Sequence, residues 1–505
     1  MPMPWAVIAR TSSRASAGLG QVRPCRSGRS GSHQDDGDGG RSRELDQRGA
    51  GHHLSAGRAG AAHPRWRGLW RCAPRDLVRR DRRDGHRGDA GSGLSHGRDP
   101  ERSLSGRCQH LRPRRGRGRS GRVEGQHVMP AGGRPVPAPA PTGRAAMAED
   151  GIDPRIASAA AHWSHRFVTN GVPLADFQDV TGALTRWEDW CAAWVAKGAV
   201  HEALAREAEA GGHLRSAAGH WTTAAVCHHF GKFLFVHDRA QMKAAHDRAI
   251  AAHQAALPHL DPPGERVAIP WGGHTLYGTL RKPRGVARPP VVVMAMGLDS
   301  AKEEMATNEQ GLLDRGLATL PFDGPGQGEA EYDLPIHPAY EEPVHAVLDW
   351  IETRDDLDAG RVGIWGVSLG GYYAPRAAAY EPRLKACVSL TGPFDFAEAF
   401  DRAPPLTRAA FTARAFCDSE EAARAVAAQM TLAEAAPRIA CPTYVVGGAL
   451  DRVLPPDHAA RLAGAVAGPV VLNMIEDATH VANNRPYKYR PQVADWLADQ
   501  LGAAG

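Results

Sequence analysis

The stretch Gly366-Val367-Ser368-Leu369-Gly370 constrains the fold of this 505-residue chain more than any other feature. It follows a short apolar run, residues 362–365, and directly precedes a helical run, residues 372–380. Glycines on both sides of a serine permit the cramped turn between strand and helix that holds a hydroxyl out of a sheet. The pattern therefore predicts that Ser368 is a nucleophile, and the alternative is a structural serine in a tight turn.

Short apolar runs and helical stretches alternate from residue 264 onward, which predicts an α/β fold with a mostly parallel sheet flanked by helices. Active sites in such sheets lie beyond the C-terminal ends of the strands. The first two of the predicted strands form a hairpin around Gly272-Gly273. The predicted strands cover residues 267–270, 275–280, 291–296, 318–322, 362–365, 386–390, 443–446 and 470–475.

The preceding segment, residues 152–260, has aromatic and aliphatic residues at spacings of three and four, which predicts four or five helices. Trp187, Trp190 and Trp194 share one helical face, and such a stripe indicates a packed interface rather than a substrate surface. A Pro-Pro-Gly linker at residues 262–264 separates this helical segment from the alternating strands and helices that follow. We therefore predict an α-helical cap domain over 147–262 and a catalytic domain over 263–505.

Residues 1–146 contain 29 Arg, no Lys and 12 Asp or Glu, so they carry a net charge of +17 in a chain whose total is +5. They contain no apolar periodicity, so they cannot bury enough surface to offset the entropy of ordering. We predict a disordered Arg/Gly-rich extension and favour a mis-assigned start, because GC-rich DNA translated out of frame gives this composition. A native disordered tail and a nucleic-acid-binding arm are the alternatives.

A serine hydroxyl needs a base to accept its proton, and that base needs a carboxylate to orient it. In strand–turn–helix hydrolases the order along the chain is Ser, acid, His. His480 follows the last predicted strand and is the predicted base, whereas His458 lies at a helix start. Asp451, at the exit of the 443–446 strand, is the predicted acid.

Two other aspartates compete with Asp451 for the orienting role. Asp477 is close to His480 in sequence but is expected to cap a turn, and Asp395 follows the preceding strand.

The negative oxygen that forms on a carbonyl under attack needs hydrogen-bond donors. One predicted donor is the backbone N–H of Leu369, the residue after the nucleophile. The other is assigned to the N–H of Leu298, in the Gly297-Leu298-Asp299 loop after the 291–296 strand.

Nothing in the sequence indicates a metal or organic cofactor, and the predicted partner is a small-molecule substrate rather than nucleic acid or a membrane. No run of about 18 apolar residues is present, as a membrane span would need. Five cysteines follow Met147, an odd number without close pairing, which favours a reducing compartment and hence the cytoplasm.

Four motifs make residues 147–505 resemble the α/β-hydrolases grouped around 2,6-dihydroxypseudooxynicotine hydrolase, with fungal polyketide-shortening hydrolases and FrsA-like esterases as relatives. In addition, the helical stretch 217–238 resembles that family's cap domain. The motifs are Gly-Leu-Asp-Ser-Ala-Lys-Glu-Glu at 297–304, Phe-Asp-Gly-Pro-Gly-Gln-Gly-Glu at 322–329, the serine turn at 366–371 and Ile-Ala-Cys-Pro-Thr at 439–443.

The resemblance implies an α/β-hydrolase fold and hydrolysis of a C–C bond next to a ketone, in a substrate with an aromatic ring, often by a homodimer. It places Ser368, Asp451 and His480 on the family's triad. It also implies that Asp299 is a substrate-binding residue, where nicotine-pathway members have Glu. A carboxylesterase and a non-catalytic ligand-binding receptor on a hydrolase scaffold remain the alternatives.

Overall fold

The computed structural model describes residues 151–503. The predicted extension over 1–146 lies outside these residues. Asp153 caps the N-terminus of the first described helix, because its side chain accepts a hydrogen bond from the N–H of Arg155 at 2.8 Å. Pro154 occupies the first helical position.

Five α-helices precede the sheet, in agreement with the sequence prediction. Their shared core contains Trp187, Trp190 and Trp194, all fully buried, so the tryptophan stripe is a packed interface as predicted. Trp187 itself lies in a short 3-10 turn just before the third helix. The helices are α1 Pro154–Thr169, α2 Leu174–Ala183, α3 Trp190–Ala210, α4 Leu214–Lys232 and α5 Arg239–Ala256.

An eight-stranded sheet follows, and all eight predicted strands are confirmed. The order in the sheet is β1-β2-β4-β3-β5-β6-β7-β8, in which only the β1/β2 and β2/β4 pairs are antiparallel. The strands are β1 Gly264–Trp271, β2 His274–Arg281, β3 Pro290–Ala295, β4 Ala318–Asp323, β5 Asp358–Val367, β6 Leu384–Leu390, β7 Thr443–Gly448 and β8 Val470–Ile475.

Apolar clusters cover both faces of the sheet, and strands β3, β4 and β7 are buried along their whole length. Among residues 151–503, no helix is both long enough and apolar enough to cross a membrane. The helices that alternate with or follow the strands are α6 Ala306–Leu313, α7 Glu341–Glu352, α8 Gly370–Tyr380, α9 Phe396–Arg402, α10 Pro405–Arg414, α11 Glu420–Ala427, α12 Pro456–Ala465 and α13 Arg490–Leu501.

The position of β3 between β4 and β5 fixes where a ligand can bind. The chain passes from β3 to β4 on one side and then returns to β5 on the other side of β3. Connections that diverge in this way leave a crevice beyond the C-terminal ends of the two central strands. Leu298 follows β3 and Ser368 follows β5, so both lie at this crevice.

Candidate active site

The turn between β5 and α8 holds Ser368 in a left-handed backbone conformation, with φ at +54°. Such a conformation is uncommon for a residue with a side chain and marks a constrained position. Close packing explains the flanking glycines. A methyl group on Gly366 would overlap the carbonyl oxygen of Gly370, and one on Gly370 would overlap that of Ala295.

The three residues predicted to form a triad lie within hydrogen-bond distance of one another. Ser368 Oγ is 3.0 Å from His480 Nε2, and His480 Nδ1 is 2.8 Å from Asp451 Oδ2. The other carboxylate oxygen of Asp451 accepts the N–H groups of Val453 and Leu454, each at 2.9 Å. This geometry gives His480 a proton on Nδ1 and leaves Nε2 free to accept the serine proton.

The competing residues are engaged elsewhere. His458 is buried near the start of α12, where it accepts the N–H of Phe394 at 3.2 Å. Asp395 caps α9. Asp477, expected to cap a turn, instead holds two cationic side chains at 2.7 Å, those of Arg485 and Lys488.

Leu298 and Leu369, the predicted oxyanion donors, line the same pocket as Ser368. Across the described range, neither backbone N–H has a hydrogen-bond acceptor. Two side chains from the segment between β4 and α7 hold the strand end before Leu298 in place. Gln327 donates to the carbonyl oxygens of Met296 and Gly297, and Tyr340 donates its hydroxyl proton to Gln327 at 2.6 Å.

The pocket around Ser368 encloses about 50 Å³ and has an apolar and a polar part. Helix α1 and the sheet domain both supply its walls. The apolar part is formed by Trp163, Leu298, Met305, Trp365, Val367, Leu369, Phe396, Val453, Leu454 and Val481. The polar part is formed by Arg166, Asn170, Asp299, Ser300, Glu304, Asn308, Asn483 and Arg490.

Comparison with known proteins shows the family to which the chain belongs. The chain is 35% identical over 341 residues to 2,6-dihydropseudooxynicotine hydrolase of Paenarthrobacter nicotinovorans, a match that covers 67% of this chain and 91% of that protein. The chain belongs to the α/β-hydrolase family of that enzyme. The crystal structure of 2,6-dihydroxy-pseudo-oxynicotine hydrolase superposes on this hydrolase with a TM-score of 0.61, 34% identity and coverage of 67% of this chain and 95% of that one.

Two family models match parts of the hydrolase: esterase FrsA-like over residues 152–397, and the prolyl oligopeptidase family over residues 341–504. A fungal relative, 20-hydroxy-prefusarin hydrolase of Gibberella moniliformis, is 35% identical over 226 residues, which cover 42% of this chain and 54% of that protein. The structure of wild-type AbyA5 shares the fold at 21% identity, with a TM-score of 0.55 and coverage of 70% and 95%.

A buried ion cluster joins helix α1 of the hydrolase to the loop after β3. Arg166 donates to Asp299 at 2.7 Å, to Ser300 at 3.0 Å, and to both carboxylate oxygens of Glu304 at 2.6 and 2.7 Å. Asn170 also donates to Glu304, at 2.6 Å. Asp299, the predicted substrate-binding residue, therefore lines the pocket, and one of its carboxylate oxygens is paired with Arg166.

Charge pairing controls the protonation of Glu304. Burial acts to raise its pKa, but the charge of Arg166 and hydrogen bonds from Arg166 and His229 outweigh burial and lower that pKa well below its usual range. The sequence did not predict this role for Arg166. The available indication was its position between Trp163 and Phe167, where a charged residue interrupts an aromatic face.

One group of potential metal ligands within residues 151–503 is buried: His246, Glu303 and Asp323. The ammonium group of Lys302 lies among them, 2.6 Å from Glu303 and 2.8 Å from Asp323. A cation is therefore already present between the two carboxylates. These residues are better explained as a buried ion pair than as a metal site.

The close packing at Gly366 yields a stability prediction. We expect Gly366→Ala to destabilise the hydrolase by at least about 2 kcal/mol, because the new methyl group would meet a backbone oxygen that cannot move aside. Urea unfolding measures this. Gly464→Ala in α12 is the control, since nothing lies within 4 Å of the added carbon and helical alanine is favourable. Equal unfolding midpoints for the two variants would contradict the prediction.

Proposed function

We propose that this hydrolase uses Ser368 as nucleophile, His480 as general base and then general acid, and Asp451 as the residue that orients His480. The hydrogen-bonded chain from Ser368 Oγ through His480 to Asp451 carries this proposal. In the low-dielectric pocket, Asp451 stabilises the imidazolium that forms when His480 takes the serine proton.

The proposed reaction begins with attack of Ser368 Oγ on a ketone carbon while His480 Nε2 removes the hydroxyl proton. The carbonyl oxygen becomes an oxyanion, which accepts hydrogen bonds from the N–H groups of Leu298 and Leu369. When the intermediate collapses, the bond between the carbonyl carbon and its neighbouring carbon breaks. His480 protonates the departing enolate carbon, and water then hydrolyses the acyl-enzyme with His480 as base.

A 1,3-diketone or aryl ketone is the proposed substrate class. A carbon leaving group departs only if its negative charge is delocalised, and a second carbonyl group provides this as an enolate. The names of two relatives, 2,6-dihydropseudooxynicotine hydrolase and 20-hydroxy-prefusarin hydrolase, describe hydrolases of organic substrates. The apolar wall, with Trp163, Trp365 and Phe396, favours an aromatic group on the substrate.

We propose that Asp299 holds a polar group of the substrate with Oδ2. Its Oδ1 is bound to Arg166, and the described residues supply no donor to Oδ2. The pairing with Arg166 keeps the carboxylate oriented toward the pocket.

A paired assay tests the reaction class. We expect the purified hydrolase to cleave aryl 1,3-diketones such as 1-phenyl-1,3-butanedione, with products quantified by chromatography. p-Nitrophenyl esters are assayed in parallel, because ester hydrolysis shares the same first step. Rapid ester turnover without any diketone cleavage would exclude C–C hydrolysis.

A carboxylesterase is the second candidate, favoured by the esterase FrsA-like match over residues 152–397. It would use the same three side chains and oxyanion donors. An alkoxide leaves more readily than an enolate, so this activity requires less stabilisation of the leaving group.

We also propose that the hydrolase works in the cytoplasm as a homodimer. Free thiols support the location, since none of the five described cysteines forms a disulfide and three of them are buried. The dimer is proposed from the family resemblance.

A further inference from the structure

A groove beside helix α1 shares two lining residues, Trp163 and Thr407, with the catalytic pocket. It lies between α1 and the start of α10, and encloses about 270 Å³. Ser158, Ala159, Leu234, Pro405 and Leu406 are among its lining residues. We call it the α1–α10 groove. Trp163 and Thr407 line both this groove and the pocket that contains Ser368.

The two volumes indicate that the space beside Ser368 is small and that the α1–α10 groove has room for a substituent of the substrate. A cavity of about 150 Å³ holds one benzene ring in a protein interior. The space beside Ser368 is about 50 Å³, so a substrate with an aromatic or alkyl substituent has to extend beyond it. The groove, at about 270 Å³, can hold a ring or an alkyl chain. Because Trp163 and Thr407 line both spaces, these two side chains form the boundary between them.

The chemistry of the groove selects for uncharged groups. Leu234 and Ala159 form a buried apolar floor. The charge at the rim, Arg155, is paired with Asp153 and, at 2.9 Å, with Glu188. His162 also lines the groove, and burial lowers its pKa to about 4, so it is uncharged at neutral pH. Among the described lining residues, no unpaired charge is therefore available to bind an ionic group, whereas apolar surface is available to bind an uncharged one.

We propose that the α1–α10 groove binds a hydrophobic, uncharged arm of the substrate, an alkyl or aryl chain that passes between Trp163 and Thr407 from the carbonyl held at Ser368. This inference rests on the proposed function, because it takes Ser368 as the reacting residue. It adds the substrate class: a ketone or ester with a long apolar substituent on the side of Trp163.

Alkyl fluorophosphonates provide a test that does not depend on which bond the hydrolase cleaves. They react with an activated serine, and their alkyl chain can be lengthened from ethyl to decyl. Each methylene transferred from water to an apolar site contributes about fourfold, which corresponds to about 0.8 kcal/mol. We expect the second-order rate constant for labelling of the wild-type chain to rise at least tenfold from butyl to octyl.

Two variants fill the groove. Ser158→Trp places an indole on an exposed position of α1, and Leu406→Trp fills the opposite wall. In both we expect the butyl-to-octyl ratio to fall to twofold or less. The matched control is Ala157→Trp, which adds the same side chain to an exposed neighbouring position that does not line the groove. Its ratio should equal that of the wild type. Thermal unfolding verifies that each variant is folded.

The outcomes separate the two proposals. Absence of labelling in the wild-type chain at every chain length would overturn the proposed serine chemistry. Labelling that does not accelerate with chain length, or that accelerates equally in Ser158→Trp, Leu406→Trp and Ala157→Trp, would overturn the groove while leaving the nucleophile intact.

Discussion

Ser368→Ala should lower turnover by at least about 10⁴-fold and abolish labelling by a fluorophosphonate, because it removes the hydroxyl oxygen that lies 3.0 Å from His480 Nε2. Substrate binding should change little, since the pocket walls remain. Single-turnover kinetics measure turnover, active-site labelling measures reaction with the fluorophosphonate, and equilibrium binding measures substrate affinity. Retained labelling would show that another residue is the nucleophile, and a ligand-binding receptor would show binding without turnover in the wild-type chain itself.

The partners of Ser368 should behave as one unit with it. His480→Ala should lower turnover about as much as Ser368→Ala does. The double variant should lower turnover no more than either single variant, because each substitution disables the same proton transfer. Asp451→Asn should lower turnover by about 10³- to 10⁴-fold, since the amide favours the wrong tautomer of His480. Asp477→Asn is the matched control and should change turnover by less than twofold, because Asp477 pairs with Arg485 and Lys488 instead.

The sheet and the positions of the candidate site residues along it could be predicted because they depend on local patterns and on strand order. Ser368 is predicted to be the nucleophile from a turn whose steric demands appear in five consecutive residues. Asp451 and His480 are predicted to be its partners because each follows a predicted strand, and parallel strands bring their C-terminal ends to one edge. Their assembly on Ser368 then depends only on a fold that the family shares.

The contribution of the helices to the pocket could not be predicted in the same way. The contact of Arg166 with Glu304 joins residues separated by 138 positions, and neither residue has a local pattern that specifies the other. His458 and Asp477 show the same limit. Both lie where a helix start or turn was expected, yet their partners, Phe394 in one case and Arg485 with Lys488 in the other, are determined by packing.

Arg166→Met should destabilise the hydrolase by about 3–5 kcal/mol, the usual result when one partner of a buried ion pair is removed and the other charge remains. Asp299 and Glu304 would then lie in the interior without their cation. Urea unfolding followed by tryptophan fluorescence measures the loss. Turnover should also fall, because Asp299 and Ser300 directly follow Leu298, whose N–H is a proposed oxyanion donor.

Arg155→Met is the matched control on the same helix. Its partners Asp153 and Glu188 lie at a partly exposed surface, so we expect a loss of no more than about 1 kcal/mol. An equally small loss of unfolding free energy in Arg166→Met would contradict the prediction that removal of the buried cation is strongly destabilising. Replacing the acids as well, in Arg166→Met with Asp299→Asn and Glu304→Gln, should recover stability, because no unpaired charge stays buried.

The pH dependence of the stability loss in Arg166→Met tests whether that loss is electrostatic. In the wild type the lowered pKa of Glu304 contributes stability that is fully present above the ordinary carboxyl range, and this contribution is lost progressively as pH falls from that range to the lowered value. Without Arg166, burial should raise the pKa of Glu304 above its unfolded value, so the variant gains stability as pH falls. The difference in unfolding free energy between wild type and variant should therefore shrink from pH 8 to pH 5. A difference that is constant over this range would mean that lost packing around the Arg166 side chain, rather than its charge, is what destabilises the variant.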